Sequence, residues 1–476
     1  MGSSTLGSDT RGSDTRGSDG KRPYRETSFW LDSLVENGID DLTPRPALDG
    51  DAEFDVCIIG GGLTGLWTAH YLLETDPKAR IAIVEKEIAG FGASGRNGGW
   101  ASALFPRSAA ALERQHGRGA AHAMRRAMID TVDEVGRASR SLGIDIDYAK
   151  GGTVAYVRSA AQEKAARHDI AETRKAGVDT LDWLGPEAVR ATDARGATFD
   201  PNCARIHPAK LVRGLAASLE RRGVTIFEQT TAIDFGARTV TTDRGVIACE
   251  TVVVALEGYT STLKRTHRSL MPLYSLMIAT EPLSDEAWDE IGLAHGQTFN
   301  DFRHLLIYGQ RTADNRFAFG GRGARYHWGS TIKPEYDRVQ SVFDHLHKTL
   351  VELFPVAASA AVTHTWGGPL GVPRDWHATA GYNPKTGVAF AGGYVGDGLS
   401  TTNLAGRTLS DLITGQRTEL TRLPWVGHVS PRWEPEPLRF LGSNAGLLGA
   451  NIADIEEKVT KRSSIAARIL GPLTGH

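Results

Sequence analysis

The sequence predicts an α/β protein: a Rossmann-like dinucleotide-binding domain followed by a second, α+β domain centred on an antiparallel sheet. Three observations predict it. The apolar segment Val56 to Ile59 runs directly into GGGLTG and then into a helical pattern. A second apolar segment, Ile81 to Val84, ends in the acidic Glu85. From Met271, strand-like segments such as PLYSLMIATEPL, HLLIYGQRT and RFAFGGRG succeed one another through turns with no helix between them. That is the pattern of an antiparallel sheet.

The elements are taken in chain order. GSDTR occurs twice within the first twenty residues, too polar a stretch to order itself, so residues 1–26 are expected to be a disordered tail. TSFWLDSL then predicts a short docked arm over 27–49. After the two strands come helical segments to about Leu142, a strand at GGTVAYVRS and a charged helix over Ala160 to Ala176. HPAKLVRGLAASLERRG predicts a helix, and VTIFEQ, RTVTTDRG and TVVVALEG predict strands. Val339, Val342, Phe343, Leu346 and Leu350 fall on one face of a helix. GVAFAGG is a strand, and LSTTNLAGRTLSDLITG a helix closed by Gly415. A Pro-rich linker and a surface helix complete 417–476.

Composition removes several function classes. The 476 residues are 41% hydrophobic and 23% charged, an ordinary globular balance for two or three domains. A formal charge of -2 does not favour nucleic acid or an anionic membrane as partner. Cys57, Cys203 and Cys249 are far apart, which argues against a disulfide framework or zinc site and for a reducing compartment. No apolar run approaches the ~18 residues of a membrane span. With no apolar signal core at the N-terminus, the expectation is a cytoplasmic protein.

Gly60, Gly62 and Gly65 form GxGxxG between a strand and a helix, and Glu85 stands 25 residues after Gly60. Gly60 permits the tight turn, Gly62 lets a pyrophosphate approach the backbone, and Gly65 lets helix and strand pack closely. The helix start, with Leu63 and Thr64, offers unpaired N–H groups and a positive dipole end to phosphate. Glu85, next to Lys86, can accept both ribose hydroxyls. The motif occurs once, so one dinucleotide is expected.

A nicotinamide dinucleotide has no use for the glycine-rich stretch GFGASGRNGG, which begins five residues after Glu85 at Gly90. It suits a flavin, whose ring needs a second cradle. Ala93, Ser94, Asn97 and the amides near Gly98 and Gly99 can reach phosphate or ring atoms. Arg96 can bring positive charge to the pyrophosphate or ring edge, or sit in a salt bridge. A later loop, GGYVGDGLSTT, places Gly393, Gly396 and Gly398 before a helix starting near Leu399 to Thr401. Such a helix start would stabilise the negative N1/O2 edge of a reduced flavin; the alternative is a simple turn.

These motifs resemble the FAD-dependent D-amino-acid oxidase/glycine oxidase family, and within it the γ-glutamylputrescine oxidase-like branch. DVCIIGGGLTGLWTA, VEKEIAGFGASGRNGG, HPAKLVRGLA, FAFGGRG, TWGGPLG and GGYVGDGLSTTNLAGR carry the resemblance, which extends from about residue 27 to 440. It implies an FAD domain of discontinuous segments (50–142, 192–268 and 361–416) and a substrate domain of 143–191 with 269–360. It places FAD contacts at Gly60, Gly62, Gly65, Glu85, Ser94, Arg96, Gly98, Gly396 and Gly398, and near Ala232 and Ala255. It implies hydride transfer from the carbon beside an amine to flavin N5, hydrolysis of the imine, and reoxidation by O2 or another acceptor. Relatives that hold FAD covalently use a cysteine near TWGGPLGVPRDW; none occurs here, so non-covalent FAD is expected. Ser400 stands where relatives that oxidise sarcosine carry a lysine, which argues against a small N-methyl amino acid substrate.

Flavin oxidation of an amine needs a neutral amine, a C–H held at near-attack distance and little water. The expected substrate is a small primary or secondary amine, with or without an anionic tail. Tyr274, Arg303, His304, Tyr308, Arg322, Tyr326, His327 and Trp366 are candidates to line its pocket, with Tyr274, His304, Tyr308, Arg322 and Trp366 chosen. Arg322 is the expected anchor for an anion, since a guanidinium fits a carboxylate with two bonds; a structural ion pair is the alternative. His345 and His347 do not share a helix face, so no metal site is expected. Two other readings stay open: a flavin hydroxylase reduced by NAD(P)H, and a flavin subunit of an electron-transferring complex.

Overall fold

The computed structural model describes residues 23–175, 177, 181–322, 325–460 and 464. The GSDTR repeat and the chain end after 464 lie outside the described residues. Two eight-stranded sheets organise the chain.

The first sheet runs Thr379–Asn383, Val388–Gly392, Val246–Val254, Ala52–Ile59, Ile81–Val84, Thr225–Phe227. All neighbours are parallel except the first pair. Ile58, Ile81, Ile83, Val252 and Val253 are wholly buried because both faces are covered, one by helices and the other by Phe235, Val240, Leu48 and Leu263, hence the continuous apolar runs in the sequence. From Ala52–Ile59 the chain continues to one neighbour, Ile81–Val84, and returns much later on the other side as Val246–Val254. The carboxyl ends of these three strands therefore flank a topological switch point, where open α/β sheets bind ligands. The strands Ala232–Gly236 and Thr239–Thr242 extend this sheet from Val246–Val254.

The second sheet runs Val362–Val372, Met271–Thr280, Phe317–Arg322, Ile307–Arg311, Thr298–Asp301, Thr153–Val157, Gly196–Asp200, Asp182–Leu184. Thr298–Asp301 and Thr153–Val157 are parallel; every other pair is antiparallel. Gly196–Asp200 and Val362–Val372, which the family resemblance implies to be part of the cofactor domain, hydrogen-bond into this second sheet. Their pairing partners lie far away in sequence, and local pattern carries no record of them. Phe299, Phe317 and Phe319 fill the sheet face beneath helix Gln340–Leu353, which buries Phe343, Leu346 and Leu350 as its spacing predicts. Each such side chain contributes roughly 1.5–3 kcal/mol by leaving water.

The arm is a helix, Phe29–Glu36, capped by Ser28, whose Oγ accepts the Leu31 N–H at 3.2 Å. Trp30, Leu31 and Leu34 are buried. They pack with Ile88 and Ala209 from the first domain and with Met277, Ala318 and Trp366 from the second sheet, so the arm wedges between the two.

Candidate active site

A cavity of about 530 Å³ begins at the switch point of the first sheet and ends against the second sheet. The fingerprint forms its floor. Gly60 has φ +112°, and a Cβ there would lie 2.5 Å from Ala255 O, so only glycine makes the turn. A Cβ on Gly65 would lie 2.3 Å from Gly60 O and 2.9 Å from Ile58 Cγ2; this glycine serves helix–strand packing and does not line the cavity. Helix Leu63–Thr75 opens towards the cavity, and its Leu63 N–H donates to Ser94 Oγ at 2.9 Å. The two glycine motifs are thus tied together.

Glu85 accepts the Gly61 N–H at 2.9 Å and the Glu87 N–H at 3.0 Å. Burial pushes its carboxyl up to about 7. Lys86, Ala232 and Ala255 line the same end. Ala93, Ser94, Arg96, Asn97 and Gly98 line the middle. The N–H groups of Asn97 and Gly98 donate to no acceptor among the described residues. Two free donors on cavity-lining residues, a carboxylate beside the fingerprint and a helix start fit a phosphate-bearing dinucleotide with a second ring system. At the far end Gly396, Gly398 and Leu399 bring in the start of helix Gly398–Ile413.

Several predicted residues lie just outside the lining. Gly99, at φ +70°, faces Gln310 and the Ile206 carbonyl. Gly393, at φ +78°, packs on Pro373 and donates its N–H to Glu257 at 2.9 Å. Ser400 is buried in the first turn of helix Gly398–Ile413, with no partner for its Oγ among the described residues. Arg96 lines the cavity, but its guanidinium is committed elsewhere: Nη1 pairs with Asp337 Oδ2 at 2.6 Å and donates to Gly367 O at 2.9 Å, and Nε donates to Phe91 O at 2.6 Å.

Of the five chosen substrate residues, the cavity gathers Arg322 and Tyr308. Tyr308 OH bonds Ser275 Oγ at 2.8 Å, and its ring meets Trp100 edge-on. Arg322 Nη2 donates to Val395 O at 2.5 Å, and the guanidinium has no ion pair among the described residues. The other three lie elsewhere. Trp366 is buried behind the loop, with Nε1 donating to Arg96 O at 2.8 Å. Tyr274 lines a separate pocket of about 20 Å³ with Arg322 and Leu447. His304 is held by the C-terminal helix, its N–H on Asp454 and its ring against Glu457 Oε1 at 3.1 Å. Arg303 pairs with Asp301, Tyr326 OH donates to Glu436, and His327 stacks on Tyr336. Strand alternation and side-chain competition decide these outcomes, and neither is visible in a list of polar residues.

Sequence reasoning also passed over residues that line the cavity. Asp397 stands in the loop GGYVGDG and caps helix Gly398–Ile413 without a side-chain bond to it. Burial pushes its carboxyl up to about 6, against the pull of the Arg322 guanidinium. Asn300 lines the same end with a buried Oδ1 that has no donor among the described residues. Glu257 accepts the N–H groups of Gly393 and Tyr394 at 2.9 and 3.2 Å, and burial pushes it up to about 7. The acidic type of Asp397 beside three glycines was the one available signal.

Fold and cavity together define an FAD-binding oxidoreductase with two domains closing over one elongated site. Residues 55–412 match the family described as DAO, FAD dependent oxidoreductase, and the chain belongs to that family. It is 29% identical over 399 residues to a probable oxidoreductase OrdL of Haemophilus influenzae, covering 79% of this chain and 86% of that one. It is 28% identical over 387 residues to the γ-glutamylputrescine oxidoreductase of Escherichia coli, covering 78% and 86%. The fold matches a glycine oxidase from Geobacillus kaustophilus with a TM-score of 0.67 at 20% identity, over 80% of this chain and all of that one. The protein is an FAD-dependent enzyme. No helix among the described residues is long and apolar enough to cross a membrane.

Proposed function

We propose that the protein oxidises the C–N bond of a small primary or secondary amine or amino acid carrying an anionic group. FAD is held non-covalently, and dioxygen is the electron acceptor, giving hydrogen peroxide. One observation carries this reading: the cavity with the dinucleotide cradle also contains a guanidinium, Arg322, and a carboxylate, Asp397, that form no ion pair with each other. Two opposite charges that line one cavity without an ion pair between them suit a ligand bearing both. None of the three cysteines lines the cavity, in keeping with non-covalent FAD.

Bound FAD supplies a hydride acceptor at N5. Arg322 holds the anionic group through charge-assisted N–H bonds and fixes the substrate carbon relative to that acceptor. Asp397, ionised above about pH 6, takes one proton from the substrate ammonium and leaves the neutral amine with its lone pair. That lone pair becomes the second C–N bond as hydride departs, and the protonated imine then adds water to give a carbonyl product and an amine or ammonia. Tyr308, Trp100 and Leu306 wall this end and limit water. The resemblance to the γ-glutamylputrescine oxidoreductase supports an amine substrate.

The test is anaerobic mixing of the yellow holoprotein with a panel of amines with and without carboxylate groups. Loss of the visible flavin absorption with an anionic amine, and peroxide on admitting air, is the expected result. A flavin that no amine bleaches, but NADPH alone does, would replace this reading with a hydroxylase.

A further inference from the structure

Five consecutive carbonyls in the second glycine loop are each held from outside the loop. Ser28 Oγ donates to Gly95 O at 2.7 Å, Trp366 Nε1 to Arg96 O at 2.8 Å and Trp30 Nε1 to Asn97 O at 2.8 Å. Gln310 Nε2 donates to Gly98 O at 2.5 Å, and the Ile206 N–H to Gly99 O at 2.9 Å. A run of carbonyls so fully claimed on one side has its peptide planes set. The N–H groups of Asn97 and Gly98 are left over, on residues that line the cavity. The arm that supplies Ser28 and Trp30 precedes residue 55, where the family match begins. It contributes nothing to the cavity lining, yet Trp30 and Leu31 are as buried as the core.

We propose that the N-terminal arm is a positioning element for the cofactor: Trp30 draws the Asn97 carbonyl away from the cavity, so that the N–H in the same peptide plane, that of Gly98, is presented to the flavin ring beside the Asn97 N–H, which Trp366 sets through the Arg96 carbonyl. A carbonyl turned inward would repel the electron-rich edge of the ring, and an N–H turned inward stabilises it. The inference rests on the reading that this loop cradles the ring. Trp30 is a positioning residue acting through the loop; it does not touch substrate.

The experiment uses the full-length chain, stripped of flavin and titrated with FAD, as wild type and as Trp30→Phe, Leu34→Ala and Asn97→Ala. Trp30→Phe keeps an aromatic ring and removes the N–H. It should raise the FAD dissociation constant about five- to tenfold, the loss of one hydrogen bond of ordinary strength. It should also change the visible circular dichroism of bound flavin and lower the flavin midpoint potential. Leu34→Ala deletes a buried arm side chain that makes no bond to the loop; it should lower thermal stability and leave the flavin spectrum and potential unchanged. Equal flavin effects from Leu34→Ala and Trp30→Phe would reduce the arm to general packing and overturn the proposal. Asn97→Ala removes the side chain that bonds the Gly99 N–H at 2.8 Å from within the loop. If Asn97→Ala alters the flavin spectrum and Trp30→Phe does not, the loop still cradles the ring and the arm's role is wrong. If neither alters it, both fall.

Discussion

Arg96 Nη1 lies 2.6 Å from Asp337 Oδ2, so the second glycine loop of the cofactor domain is ion-paired to the segment that precedes helix Gln340–Leu353. The Arg96 side chain is 3% exposed and that of Asp337 20%. Burial works against the Arg96 charge, and Tyr259 and Asp337 restore it, leaving the guanidinium above its ordinary range. Arg96 lines the cavity and, in its salt bridge, pins the two domains together. Removing one partner of a buried pair leaves the other charge unpaired. Asp337→Asn should therefore lower stability by about 3 kcal/mol, read as the urea-unfolding free energy of the holoprotein. A loss under about 0.5 kcal/mol, the ordinary range for a surface site, would contradict it.

Arg322 is expected to bind the anionic part of the substrate. Arg322→Gln removes a charge-assisted bond worth roughly 1.5–3 kcal/mol. On an anionic amine, KM should rise roughly 10- to 100-fold with a smaller change in kcat, the signature of lost binding common to ground and transition states. On an amine without an anionic group the variant should match wild type.

Asp397 should set the acid limb of the pH profile. Its carboxyl titrates near 6, so the ionised form that accepts a proton dominates above that value. kcat/KM should climb through about pH 6 and level off. Asp397→Asn should abolish that limb and lower the plateau. A wild-type profile unchanged between pH 5 and 7, compared over roughly one unit either side of that value, would remove Asp397 from the chemistry.

Glu257 makes a stability prediction of definite sign. Burial raises its folded value to about 7 from an ordinary 4.5, so the folded state binds the extra proton between these values. Its contribution is fully present below about pH 4.5 and is lost as pH rises through 7, of the order of 3 kcal/mol across the window. Glu257→Gln should flatten that part of the unfolding free energy plotted against pH, with equilibrium denaturation at several pH values as the measurement.

The fingerprint glycine admits the simplest test. Gly60→Ala places a methyl 2.5 Å from Ala255 O at a backbone φ of +112°. The protein should purify without its yellow colour and bind added FAD at least roughly tenfold more weakly, since strain of 1–3 kcal/mol falls on the turn that meets the pyrophosphate.

Local sequence by itself determined the elements whose cause is local. Val56–Ile59 into Gly60, Gly62 and Gly65 specifies strand, turn and helix, and the backbone at Gly60 and Gly65 tolerates nothing larger. The apolar spacing of Phe343, Leu346 and Leu350 specifies a helix face for the same kind of reason. GGYVGDGLS announces a helix start from its glycines alone. Tertiary structure decided which polar side chains share a space. Arg322 and Asp397 are 75 residues apart and share one cavity because strand Phe317–Arg322 ends beside the loop after Val388–Gly392. Arg96 was drawn to Asp337, and Trp366 to the back of the loop, by partners 241 and 270 residues distant. A charge or an N–H group finds its partner by proximity in space, and a linear pattern records only proximity along the chain.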